Sequence, residues 1–279
     1  MYVRYILNMI IDSHVHLHTE SLLIPLVNSR KYFDRKESNA DFLVALADKV
    51  GVDKIMCSHM MALVYDMQEG NMEVVKAIDK FPDRVIGYFS IPNMYHDGEF
   101  AAKELERFVR TYGFKGLKIL HTWEVNGDWT IGNVVIRRRL DSEDFYPIVQ
   151  KAADLKIPIL CHASVDECKG IIETVPDAML MIAHSGRTIS EHGMWSEAIE
   201  LAKKHDSILL ETCSSSWNTG LLERAADAVG AERIIFGTDS PVLNPFPQID
   251  AIKQCDLSNK QKELILGGNM SRILGLKDR

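Results

Sequence analysis

No stretch of this sequence approaches the roughly 20 consecutive apolar residues that cross a bilayer, which argues against a membrane span. No Gly-x-Gly-x-x-Gly follows the first strand-like run and no Walker-type loop occurs, so nucleotide-binding α/β folds lose support. Cysteine is scarce, at positions 57, 161, 168, 213 and 255. The number is odd and there is no Cys-x-x-Cys pair, which is the usage of a reducing compartment rather than of a disulfide framework. Basic residues are outnumbered, 32 Lys+Arg against 39 Asp+Glu for a net charge of −7, so a nucleic-acid-coating surface is not expected. The opening MYVRYILNMIID lacks the apolar core and small-residue cleavage site of a signal peptide. The expected compartment is the cytoplasm, with neither membrane nor nucleic acid as partner.

What the sequence does contain is a rhythm. Eight β-rich apolar runs recur at 9–13, 53–57, 84–91, 115–120, 157–161, 178–183, 207–212 and 233–237, most of them followed by a helical pattern. They are nearly continuous rather than alternating, as in parallel strands buried on both faces. Helices are expected over Ala40–Val50, Glu73–Phe81, Glu99–Tyr112, Glu143–Leu155, Ser190–His205 and Leu221–Val229. The 279 residues divide into about 35 per strand-plus-helix unit, which suits a single (β/α)8 TIM barrel spanning 1–279. Residues 1–8 read as an N-terminal extension or an alternative start. The connections 17–39 and 121–142 are long enough to be functional, and in a barrel both rise from the C-terminal mouth. Segment 258–276 reads as a closing helix with Ser258 as N-cap, interrupted near Gly267, Gly268 and Asn269.

The histidines gather at strand ends: His14 and His16 after the first run, His59 after the second, His121 after the fourth, His162 after the fifth, His184 after the sixth. Asp239 follows the eighth. In a barrel these ends converge. His14 and His16 are two apart, so they point to the same side of a strand and can grip one cation. His162 and Asp239 would complete a nitrogen/oxygen set with room for water, the usual composition of a catalytic zinc site. Any one of these histidines alone reads as readily as a satisfied structural residue; the repetition across strands is what carries the argument. His18 falls where the chain is expected to leave the barrel and reads as a loop residue. Cys161, adjacent to His162, should face the opposite side and be a buried thiol.

At these residues the sequence resembles a known group. Ile11-Asp12-Ser13-His14-Val15-His16, Ile159-Leu160-Cys161-His162, Ile182-Ala183-His184-Ser185-Gly186 and Phe236-Gly237-Thr238-Asp239-Ser240-Pro241 look like the amidohydrolase superfamily, in its amidohydrolase-related family 2 branch. The tail Ile265-Leu266-Gly267-Gly268-Asn269 with Arg272-Ile273-Leu274-Gly275-Leu276 is similar to that branch's last helix. The resemblance implies a distorted barrel with one divalent metal at its mouth, bound by His14, His16, His162 and Asp239, and with His184 beside the metal-bound water. It also implies that the branch divides between hydrolases of lactones and related carbonyl compounds and nonoxidative decarboxylases. Lys118 falls where two-metal members of the wider superfamily carry a carbamylated lysine. A similar lysine occurs in this branch without that bridge, so a structural or surface lysine is expected.

The first expectation is therefore a metal-dependent hydrolase acting at a carbonyl carbon of a small, carboxylated substrate. The ion expected is zinc, with manganese the alternative; it would lower the pKa of bound water towards about 7. Asp239 and His184 would carry catalysis, and Arg187 and His121 would touch the substrate, although Arg187 reads equally well as a loop-surface ion pair. The alternative is nonoxidative decarboxylation of an aromatic or muconate-like acid on the same ligands. A third, non-enzymatic reading requires a barrel without bound metal. A homodimer is one assembly open to such a barrel. Glu211 and Thr212, and the polar loop Ser214–Ser216, have no decisive role at this level.

Overall fold

The computed structural model describes residues 9–18, 38–93, 95–120, 130–131, 134–135, 139–186, 195–214 and 219–276. Ten strands follow in chain order: β1 (Ile11–Leu17), β2 (Lys54–His59), β3 (Val85–Ser90), β4 (Gly116–Leu120), β5 (Thr130–Ile131), β6 (Val134–Val135), β7 (Ile159–His162), β8 (Leu180–Ile182), β9 (Ile208–Glu211) and β10 (Ile234–Ile235). Eight of them form one parallel sheet in the order β1-β2-β3-β4-β7-β8-β9-β10. The ring closes between its ends: Ser13 N donates to Phe236 O, Asp239 N to His14 O and His16 N to Ser240 O, at 3.0, 2.7 and 2.7 Å. β5 and β6 pair as a short antiparallel ladder inside the long connection after β4. The expected eight-stranded α/β barrel is the fold, and among the described residues no helix is long and apolar enough to cross a membrane.

The strand side chains sort into two apolar sets of opposite parity. Ile55, Phe89, Leu117, Ile159, Leu210 and Phe236 belong to the large core between sheet and helices. Met56, Tyr88, Leu160, Met181, Leu209 and Ile235, of the opposite parity in their strands, form a second cluster inside the ring. Both faces are thus buried, which is why the runs show no alternation in sequence. Gly116 makes room for the largest member of the inner set, since a Cβ there would lie 2.5 Å from the Tyr88 ring. The Tyr88 hydroxyl donates to Ser13 O at 2.9 Å, satisfying its polar end.

β1 carries the apolar run 9–13 on through His14 and His16, the pair expected to end this strand. It continues to Leu17, and its register against β2 shifts between Asp12 and Val15, so one extra residue is accommodated there. Ile10 packs outside the ring and Ile11 inside, whereas Val15 and Leu17 pack outside. The bulge therefore reverses parity and turns His14 and His16 inward. His18 does not leave as a loop residue: it is buried and its backbone pairs in both directions with Ser38.

The helix Met67–Lys80 begins six residues before its expected start, because Asp66 caps it through Gln68 N and Glu69 N. The helix Val165–Thr174 opens on a capping box of Ser164 and Glu167. Ser258 caps the closing segment as expected, but Leu264–Gly268 is a π-helical turn carrying one helix into the next rather than an interruption. Asn269 donates from that turn to Ala231 O and Ile234 O, tying the last helix to β10.

Candidate metal centre

The C-terminal halves of the same strands point polar groups into the ring. Two residues beyond Gly116, Leu160 and Leu209, the inner set becomes Lys118, His162 and Glu211. His14 lies at the centre. Its Nε2 is 3.2 Å from His16 Nε2, 3.5 Å from Asp239 Oδ1 and 2.9 Å from Lys118 Nζ, while its Nδ1 is 3.4 Å from Glu211 Oε2. His16 Nε2 is 3.0 Å from Asp239 Oδ1, and its Nδ1 meets the Ser58 hydroxyl at 3.1 Å. The His162 ring stands 6.5 Å from that of His14 and 4.5 Å from that of His184. All of these side chains are buried.

Backbone geometry holds the mouth in shape. Asp239, His184, Ser185 and Ser214 all have positive φ, at 59, 54, 47 and 65°. Such values cost non-glycine residues energy and persist where surrounding contacts over-determine them. Those contacts are present: Glu211 Oε2 accepts from His184 N and Oε1 from Cys213 N, both at 2.7 Å. Asp12 accepts from His14 N at 3.1 Å and from Thr238 N at 3.0 Å, fixing the two loop-forming segments to each other. Gly237 has to be glycine, because a Cβ would sit 2.3 Å from Glu211 Oε1 and 2.8 Å from His14 Cβ.

Burial governs the protonation of the cluster. It drives His14 and His184 well below the ordinary histidine range, helped in His14 by Lys118 and in His184 by His162, and it lowers His16 as well. Neutral imidazoles are the form that a cation requires. Burial alone would raise Asp239, but the hydrogen bond from His16 and the positive charge of Lys118 help to outweigh it and hold the carboxyl below its usual range. Burial brings Lys118 down to about 8, limited by the charges of Asp239 and Glu211, and lifts Glu211 up to about 8, limited by the backbone hydrogen bonds from His184 and Cys213 and then by Lys118. Cys213 is likewise pushed well up, by burial first and then by Glu211.

His14 Nε2, His16 Nε2 and Asp239 Oδ1 form a group whose ligand atoms all lie within 4.8 Å of one another. The two-nitrogen, one-oxygen donor set fits a divalent ion of the borderline or hard kind. His184 Nε2 is buried and has no hydrogen-bond partner among the described residues, as expected of an atom that awaits a ligand. Of the residues singled out in the sequence, His14, His16, His162, His184 and Asp239 are brought together; His121 and Arg187 lie outside the described residues. His59 stays apart, closing β2 and accepting from Met61 N through Nδ1.

Two expectations need correction. Of the structural and surface readings of Lys118 the surface one falls: the side chain is fully buried within the cluster, because the inward parity of Gly116 carries over to it. Glu211 is no bystander, since it orients His14, His184 and Cys213 at once. The available signal was a charged residue inside each apolar run, Gly-Leu-Lys-Ile-Leu and Ile-Leu-Leu-Glu, where burial of a charge demands partners. Cys161 conforms to expectation, facing away from His162 towards Cys168 with its sulfur 3.9 Å from that of Cys168.

Fold and donor set together define a class, the α/β barrels with buried histidine and carboxylate donors at the C-terminal ends of their strands. Within it the chain belongs to the amidohydrolase family, whose profile matches residues 11–276. A similar curated protein is the gamma-resorcylate decarboxylase of Polaromonas sp. (strain JS666), 22% identical over 293 residues, covering 85% of this chain and 87% of its own. Among solved structures, a dihydroxybenzoic acid decarboxylase from Polaromonas sp. JS666, holding manganese and the inhibitor 2-nitroresorcinol, superposes with a TM-score of 0.74. It is 18% identical, with 96% of this chain and 97% of that one covered. A 2,6-dihydroxybenzoate decarboxylase from Rhizobium gives the same TM-score at 16% identity, with 96% and 99% covered. At these identities the superpositions establish the fold.

Proposed function

We propose that the chain is a metal-dependent nonoxidative decarboxylase of a small hydroxylated aromatic acid. The observation that carries this reading is that a relative matched over 85% of the chain, and solved structures matched over 96%, are named as decarboxylases of such acids. The sequence ranked hydrolysis first; it would use the same donors, but it lacks this support and becomes the second reading.

His14, His16 and Asp239, whose ligand atoms lie together, would hold the ion, with His162 the fourth ligand implied by the resemblance; manganese replaces zinc as the expected metal because a superposed relative contains it. Bound there, a divalent ion would supply positive charge to an acidic substrate and withdraw electrons from its ring. The side chains supply the proton movements. Asp239, ionised before substrate arrives, takes the proton of the ortho hydroxyl and delivers it to the ring carbon that bears the carboxylate. The bond to the carboxylate then breaks, its electron pair returns to the ring, and carbon dioxide leaves with the product as phenolate. His184 Nε2 offers the departing carboxylate a hydrogen bond from a ring whose Nδ1 is 3.3 Å from the Ser214 hydroxyl. Burial of these side chains limits access of water to the reacting carbon, which favours loss of the charged carboxylate as a neutral gas.

The test is to reconstitute the chain with manganese and incubate it with a panel of mono- and dihydroxybenzoates beside a panel of lactones and amides. Carbon dioxide should appear in step with the matching phenol. Turnover of a lactone or amide with no gas from any acid would transfer the assignment to hydrolysis.

A further inference from the structure

His14 takes part in a second group of potential ligands, formed with His184 and Cys213, whose donor atoms also lie within 4.8 Å of one another. The three are buried and come from three different strand ends, β1, β8 and β9. Metal–nitrogen and metal–sulfur bonds of about 2.0 and 2.3 Å place ligand atoms roughly 3.3–4 Å apart, so the group needs only a small contraction to close on an ion. An independent observation points the same way: His184 Nε2 is buried without a partner among the described residues, while its Nδ1 is taken up by Ser214. The positive φ of His184 and Ser214 and the bonds from His184 N and Cys213 N to Glu211 fix the backbone from which both donors project.

We propose that His14, His184 and Cys213 form a second cation seat, selective for thiophilic ions such as zinc, cadmium or cobalt(II), distinct in donor chemistry from the seat of His14, His16 and Asp239. A sulfur donor favours soft and borderline ions, whereas a carboxylate suits manganese. On binding, the Cys213 thiol gives up its proton to solvent and the sulfur ligates the ion; no electron is transferred. Because His14 serves both groups and His184 is withdrawn from other work, a thiophilic ion here competes with the first seat. The inference goes beyond the decarboxylase reading and does not depend on any substrate.

The probes are cadmium(II) and cobalt(II), added to the metal-free full-length chain, with thiolate-to-metal charge-transfer absorption and bound metal per chain as readouts. The wild-type chain should develop the thiolate band at about one equivalent. Cys213→Ser should abolish the band, and His184→Gln should weaken cadmium binding at that band about tenfold or more. His16→Ala, Cys161→Ser and Cys168→Ser should retain it, and circular dichroism should confirm that each variant is folded. If Cys213→Ser does not fold, the His184→Gln and His16→Ala pair decides by itself. No thiolate band in the wild type, a band that survives Cys213→Ser, or one lost in folded His16→Ala would overturn the proposal.

Discussion

The inside of the barrel has two ends made by the same strands, and they obey opposite physics. Towards the N-terminal ends, Ile11, Met56, Leu160, Met181, Leu209 and Ile235 form a dry plug that the Tyr88 ring completes. One pleat further along, His162 stands beyond Leu160, Glu211 beyond Leu209 and Lys118 beyond Gly116. The plug stabilises the fold by removing apolar area from water. The mouth does the reverse: it buries three carboxylates, a lysine and four imidazoles that water would solvate better, and it holds them only through mutual contacts. Stability is concentrated at one end of the ring and chemistry at the other, so substitutions at the two ends should fail in different ways.

The sharpest test of that division is the paired variant His14→Ala with His16→Ala. Elemental analysis should show bound metal falling from about one per chain to none. Turnover should fall about a thousandfold, the equivalent of the several kcal/mol a bound cation contributes, while the melting temperature of the metal-free chain is little changed. A variant that keeps its metal would break the assignment of the mouth. Leu160→Ala, two residues before His162, should show the mirror image. Truncating a fully buried leucine costs about 2–5 kcal/mol, read as a lowered denaturant midpoint, with metal content retained in the folded fraction.

Lys118→Met sharpens the comparison further, because it replaces a mouth residue with a plug-like one. Removing a buried positive charge 2.9 Å from His14 Nε2 should tighten manganese binding about tenfold, measured by calorimetric titration. Weaker binding in the variant would mean instead that the lysine helps to hold the donors. The smallest effect is expected at the rim, where His59 has been lowered to about 3 by burial and by the nearby His18. The unfolded chain takes up a proton on this residue as pH falls through about 6.5, and the native chain does not until about 3. Its contribution is therefore complete above about pH 6.5 and declines below it, by about 1 kcal/mol at pH 6. His59→Asn keeps a side chain able to accept from Met61 N and removes the titration. The acid-side slope of stability, followed by denaturant melts of both chains at equal metal loading, should flatten; identical slopes would refute this account.

Much of the mouth was legible because metal-type donors rarely end apolar runs by chance in several strands at once. Runs such as Ile-Leu-Cys-His and Met-Ile-Ala-His announce both a strand and the point where it meets a polar end. Lys118 and Glu211 were harder, since each lies within or beside an apolar run and the side chain's direction is not written there. Cys213, one residue past the Glu211 and Thr212 that seemed to have no role, was invisible as a donor until Glu211 was seen to hold its backbone beside His184. The helix boundaries that moved did so at caps, as at Asp66, where a side chain rather than a hydrophobic pattern sets the first turn.

The sequence by itself determined the number and places of the barrel strands, the placing of His14 and His16 on one side of their strand, and the convergence of His162, His184 and Asp239. All of these follow from apolar runs of strand length and from a two-residue period. Only the tertiary structure decided which parity faces the lumen. In a parallel barrel both faces of every strand are buried, so hydrophobicity carries no contrast between inside and outside. The bulge in β1 reverses parity between Ile11 and His14, and ring closure against Phe236 to Ser240 fixes it. That choice put Lys118 and Glu211 into the centre and Cys161 out of it.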